Sequence, residues 1–210
     1  VAAPSGQNTE RFLLLTLSAP AEVPPEEAAP PGKVRPPLNF VPVVDISGSM
    51  AGGKLTQAKM AVKQALNHLH EDDFFSMVTF CDEVECPVEP VRVQPTIIEN
   101  IKEALKGIYH KGMTNLSGGL ELGIKNSKLN LQDTNLVLLL SDGQANVGET
   151  DLEKIGYLAY QARQEGLTVS TIGVGRDYNE ALMVEISNQG GGRFYHIQNE
   201  NMIPGYVAGE

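Results

Sequence analysis

Two short, almost wholly apolar runs restrict this chain more than anything else in it. Residues 40–44 (FVPVV) stop at Asp45, and residues 135–140 (NLVLLL) stop at Ser141-Asp142-Gly143. A run this short with no polar alternation reads as a strand buried on both faces, the habit of parallel sheets covered by helices. Each is surrounded by segments of helical spacing. After the first run, Leu55, Ala58, Val62, Ala65, Leu66 and Leu69 fall on one face of a helix expected over 54–70. Further helices are expected over 96–108, 116–129, 151–164 and 179–188. Strands are expected over 38–44, 74–80, 84–93, 135–140, 167–174 and 193–197. Strands alternating with helices predict an α/β fold with a doubly wound, mostly parallel central sheet and helices on both faces.

Punctuation refines this. Pro87 and Pro90 confine the 84–93 strand to a sheet edge or make it irregular. Gly190-Gly-Gly192 reads as a flexible stop, and the tail through Glu210 as the start of a last helix. Ahead of the α/β pattern, residues 10–18 (ERFLLLTLS) read as a strand, and the proline-rich 19–37 as an extended loop. The expected division is therefore an N-terminal strand plus loop over 1–37 and the main domain over 38–210. The chain begins with Val1 rather than Met, so a piece of a longer protein is expected.

Open α/β sheets bind ligands at the carboxyl ends of their strands. Three loops offer oxygen there: Asp45, Ser47 and Ser49 after the first apolar run, Thr114 in a glycine-flanked loop before a helix, and Asp142 after the second run. Two carboxylates with three hydroxyls form a hard donor set. It suits Mg2+, with six oxygens at about 2.1 Å, rather than Zn2+ or Cu2+. Each piece has a plainer reading. Asp45 fits a helix cap, Ser47 and Ser49 fit turn positions, Thr114 fits a cap for the helix at 116, and Asp142-Gly143 fits a tight turn. Their joint occurrence at strand ends is what points to a metal.

These residues resemble a known family, the von Willebrand factor type A domain. The likeness lies in D-x-S-x-S at Asp45–Ser49, Thr114, and the S-D-G triplet at Ser141, Asp142 and Gly143, and it runs from about residue 38 to 205. The surroundings, such as Gly48-Ser-Met-Ala-Gly-Gly-Lys-Leu55, look closest to the branch found in inter-alpha-trypsin inhibitor heavy chains, plant RING-type ubiquitin ligases and many bacterial proteins. The resemblance implies a complete metal-ion-dependent adhesion site, or MIDAS. It implies that Ser47 and Ser49 coordinate Mg2+ directly, with Mn2+ or Ca2+ as substitutes. Thr114 would coordinate directly or through water, and Asp45 and Asp142 largely through bridging waters. One position would stay open for a Glu or Asp of a protein partner. The implied function is a non-catalytic binding module. Family members can also move a C-terminal helix when the site rearranges.

Other classes fare worse. The net charge of −10 argues against a nucleic-acid binder, which needs clustered Lys and Arg. No run of about 18 apolar residues occurs, so no membrane span is expected. Cys81 and Cys86 flank an expected hairpin tip and are read as free thiols, although a cross-strand disulfide is open. The histidines are read as surface or packing residues: His68 and His70 lie two apart on a helix, and His110 and His196 stand alone. There is no phosphate-binding G-x-x-x-x-G-K-[ST] and no G-x-S-x-G elbow, and Gly173-Val-Gly175 is an incomplete dinucleotide signal. Two alternatives stay open: a scaffold domain of a larger assembly with an optional metal, and a Mg2+-dependent phosphoryl-transfer enzyme with Asp45 as nucleophile. The second lacks an evident general base, and Lys111 is the one cation in its loops.

Overall fold

The computed structural model describes residues 35–142, 145–175 and 178–197. The chain divides into two compact units, Val1–Arg35 and Pro36–Glu210, and every element below lies in the second. Its order is β1 (Leu38–Asp45), α1 (Lys54–Leu66), β2 (Phe74–Phe80), β3 (Val84–Arg92), α2 (Pro95–Lys106), α3 (Leu116–Lys128), β4 (Thr134–Ser141), α4 (Leu152–Gln164), β5 (Thr168–Val174), α5 (Glu180–Gln189) and β6 (Gly191–Ile197). The expected strand over 10–18, the proline-rich loop and the final helix lie outside the described residues.

The six strands form one sheet in the order β3-β2-β1-β4-β5-β6. All neighbours are parallel except β2 and β3, which pair antiparallel. The doubly wound α/β fold expected from the alternation is the fold observed. In β1 and β4 every residue after the first is buried, whereas β3 alternates between half-buried and exposed positions. That contrast is what a central strand and an edge strand require. The prolines of β3 coincide with register shifts against β2.

The pleat sends alternate residues to two cores. Phe40, Val44, Leu136, Leu138 and Leu140 pack with α1 and α2 through Ala58, Val62, Leu66, Ile101 and Leu105. Val41, Val43, Val137 and Leu139 pack on the other face with α3, α4 and α5 through Leu116, Leu120, Ile155, Ala159 and Ile186. Helix α3 lies very close to the sheet. A Cβ on Gly119 would come within 2.5 Å of Phe80 Cδ1, and one on Gly123 within 2.4 Å of Val43 Cγ2.

Two local expectations are corrected. Helix α1 ends at Leu66 rather than at 70, because successive i to i+3 bonds tighten the chain there: Asn67 N donates to Gln64 O and His68 N to Ala65 O, both at 3.0 Å. The Asp73 carboxylate then fixes the turn, accepting from His70 N at 2.6 Å and Leu38 N at 2.8 Å. Gly190-Gly-Gly192 is not a flexible stop. Gly190 caps α5, and Gly191 and Gly192 begin β6. A Cβ on Gly192 would fall 2.3 Å from Val169 O, so the glycines let β6 approach β5.

Candidate metal centre

The winding reverses between β1 and β4: the chain leaves β1 toward β2 on one side and later returns to β4 on the other. The crevice at that reversal, at the carboxyl ends, is where such sheets hold ligands. Asp45 ends β1 and Asp142 follows β4 directly, so the two residues lie at the ends of neighbouring parallel strands.

Asp45 organises the first loop. Its Oδ1 accepts from Ser47 N at 2.8 Å, and its Oδ2 accepts the Ser141 hydroxyl at 2.5 Å, so one carboxylate ties β1 to β4. Both of these donors are neutral. Asp45 is fully buried, and burial pushes its carboxyl from 3.8 up to about 6 despite the Ser141 and Ser47 hydrogen bonds, with the charge of Asp142 adding to the rise. The Asx-type turn at Asp45 runs into a short 3-10 turn, Gly48–Met50. It sets the Ser47 and Ser49 hydroxyls 2.9 Å apart, Ser47 buried and Ser49 half-buried.

The loop bearing Thr114 is stitched to this turn through its backbone. Lys111 N donates to Ile46 O at 2.7 Å, and Gly48 N donates to Gly112 O at 3.0 Å. Gly112 has φ +67°, and a Cβ there would collide with the Asp82 carboxylate. Thr114 is 2% exposed, and its N–H donates to Asn146 Oδ1 at 2.8 Å. Its carbonyl accepts from the N–H groups of Asn146 and Val147 at 3.1 Å. Asn115 caps α3 by accepting from Gly118 N at 3.0 Å. The second loop therefore touches the first through Gly112 and the segment after β4 through Thr114.

Asp142 is fully buried and its Oδ2 lies 3.1 Å from Lys54 Nζ. Its carbonyl accepts from Asn179 N at 2.9 Å, anchoring the start of α5. Lys54, Ser141 and Asn146 are participants that the sequence reading missed. Lys54 had a signal in Gly52-Gly53, which fold the chain back with φ +72° and +98° just before it. Ser141 sat inside the recognised triplet, but its link to Asp45 is a tertiary contact. Asn146 carried no signal.

The donor chemistry fits a hard divalent cation. Among the described residues no group of three or more His, Cys, Asp or Glu is placed to hold a metal, so a soft or imidazole-rich site is absent there. Two oxygens that are neighbours on an octahedral ion at about 2.1 Å lie about 3 Å apart, and the two serine hydroxyls are 2.9 Å apart. Asp45 and Asp142 are both fully buried at these strand ends, and the Lys54 ammonium lies beside Asp142. The remaining candidates are not drawn in. His68, His70 and His110 are exposed, and the His196 ring stacks on Tyr178 at 4.8 Å. Cys81 and Cys86 are free thiols, and Cys86 Sγ accepts from Asn126 Nδ2 at 3.2 Å.

The chain is similar to known proteins in sequence and in fold. The sequence profile of the von Willebrand factor type A domain matches residues 39–208. Inter-alpha-trypsin inhibitor heavy chain H3 of Homo sapiens is 34% identical over 159 residues, 72% of this chain and 18% of that protein. The chain thus spans about a fifth of that relative's length. Among solved structures, a von Willebrand factor type A protein from Catenulispora acidiphila superposes with a TM-score of 0.70 at 20% identity, over 81% of this chain and 41% of that one. Proximal thread matrix protein 1 from the mussel byssus, in a form with a zinc-occupied MIDAS motif, superposes with a TM-score of 0.65 at 21% identity, over 81% of this chain and 45% of that one.

Proposed function

The chain belongs to the von Willebrand factor type A domain family, and from that premise we propose that it is a non-catalytic protein-binding module working through a complete MIDAS. The observation that carries the reading is the pair of serine hydroxyls 2.9 Å apart, beside a buried aspartate whose two hydrogen-bond partners named above are uncharged. Ser47 and Ser49 would hold Mg2+ through their hydroxyls. Thr114 would add a third hydroxyl from the second loop, and Asp45 and Asp142 would act through water. The bound ion supplies an electrophilic position for a carboxylate of a protein partner, because few of its direct ligands carry charge. Asp45 orients Ser47 by accepting its N–H, and the Asn146 contacts fix the Thr114 backbone. Met113, next to Thr114, is 57% exposed and gives the partner an apolar contact beside the ion.

Mg2+ and Mn2+ affinity measured by calorimetry tests this reading. The unsubstituted protein should bind one ion. Asp45→Ala and Ser47→Ala should each abolish binding while the circular dichroism of the fold is kept. Unchanged affinity in both variants would refute the site. A scaffold role with an optional metal has one observation in its favour, the Lys54 ammonium already beside Asp142.

A further inference from the structure

Lys54 is the first residue of α1, and two independent features hold its side chain in the site. Its ammonium lies 3.1 Å from Asp142 Oδ2, with the lysine side chain 22% exposed and that of Asp142 0% exposed. Its methylenes lie over Gly175, just past the end of β5. A Cβ on Gly175 would fall 2.7 Å from Lys54 Cε and 3.2 Å from Cδ, and Gly175 has φ +95°. The stem thus has a seat that a larger residue would fill, and the head has a buried carboxylate. A lysine that serves only solubility needs neither.

We propose that Lys54 is a built-in counter-ion that competes with the divalent cation for Asp142 and thereby sets how tightly the site holds metal; this rests on the metal reading above. Without metal, its single charge compensates Asp142 in a region that also buries Asp45. A buried carboxylate left without a cation is costly, so the pair lets the loops keep their shape before the ion arrives. With metal, two further positive charges enter beside a third. An ion that draws on Asp142 would share that carboxylate with the ammonium 3.1 Å from it, and like charges held near one partly buried carboxylate repel even with screening. Lys54 also keeps Asp142 Oδ2 engaged, which holds that carboxylate back from the ion. The consequence is a site weakened toward metal and stable without it.

The test uses Lys54→Met, which keeps most of the stem and removes the charge, with Lys54→Arg as the charge-keeping control and Lys54→Gln as a second neutral variant. Mg2+ and Mn2+ binding is measured by calorimetry, and thermal melts are recorded in EDTA. The expected result is that both neutral variants bind metal about tenfold tighter or more, yet melt lower in EDTA, while Lys54→Arg moves little in either. A merely structural lysine would lower the melt without tightening metal binding. Neutral variants that fold and bind metal with equal or weaker affinity would overturn this proposal and leave the metal site standing. No binding by either the unsubstituted protein or the variants would overturn the metal reading itself, and this inference with it.

Discussion

At the scale of single residues, the site depends on how Asp45 is hydrogen-bonded. Its buried carboxyl keeps two close donors, Ser47 N and the Ser141 hydroxyl. Hydrogen bonds to charged groups contribute about 1.5–3 kcal/mol. Ser141→Ala should therefore lower stability in EDTA by roughly that amount, read from urea unfolding, and should weaken Mg2+ binding by making the ionised carboxylate harder to hold. An unchanged urea midpoint would show that the contact contributes nothing. The motif residues were legible because their types and their positions at strand ends are local facts. The Ser141 hydroxyl was not, since its partner is 96 positions away and only the pairing of β1 with β4 brings them together. Lys54 was read as an ordinary start of a helix because its target is 88 positions distant.

Among the elements, α3 sets where Thr114 can stand. It begins two residues after Thr114 and is pressed onto β1 and β2 over Gly119 and Gly123. Replacing Gly123 with Ala brings two opposed effects. Alanine favours a helix over glycine by about 0.8–1 kcal/mol. Its methyl would sit 2.4 Å from Val43 Cγ2, and Val43 is fully buried in the central strand with nowhere to go. Overpacking typically costs about 1–3 kcal/mol, so the clash should win. Gly123→Ala should lower the urea midpoint and, by lifting the helix that carries the second loop, weaken metal binding as well. A variant as stable as the original would mean that the helix can slide outward freely. Helical spacing made the existence of α3 plain in the sequence. The closeness of its approach was hidden, because a glycine in a helix does not announce what it faces. The end of α1 was hidden for a similar reason. Leu69 continues the apolar spacing, but the Asp73 carboxylate, held by Leu38 N and His70 N, captures the chain before the helix can reach it.

For the whole molecule, the alternation of strands and helices was enough to read the doubly wound sheet, while the strand order was not. In the order β3-β2-β1-β4-β5-β6, the parallel pairing of β1 with β4 is what puts Asp45 and Asp142 at adjacent strand ends. It also joins loops that are otherwise independent. The first loop belongs to β1, Thr114 to α3, and Asp142 to the turn that Asn179 ties to α5. An ion gripped by all three would couple the central strand β1 with two helices, α3 and α5, that pack on one face of the sheet, so its binding should register as global stability rather than as a local ordering of loops. If only the native state binds, a hundredfold excess over Kd adds about 2.7 kcal/mol. For a domain of this size each kcal/mol moves Tm by about 2–4 °C, so saturating Mg2+ should raise Tm by roughly 5–10 °C over EDTA. Asp45→Ala should show no such rise, and Lys54→Met should reach it at lower Mg2+. Calorimetric melts across a Mg2+ series would decide. A Tm indifferent to Mg2+ at concentrations where calorimetry detects binding would mean that the ion is held by partly unfolded chain as well, and the coupling between the three loops would have to be abandoned.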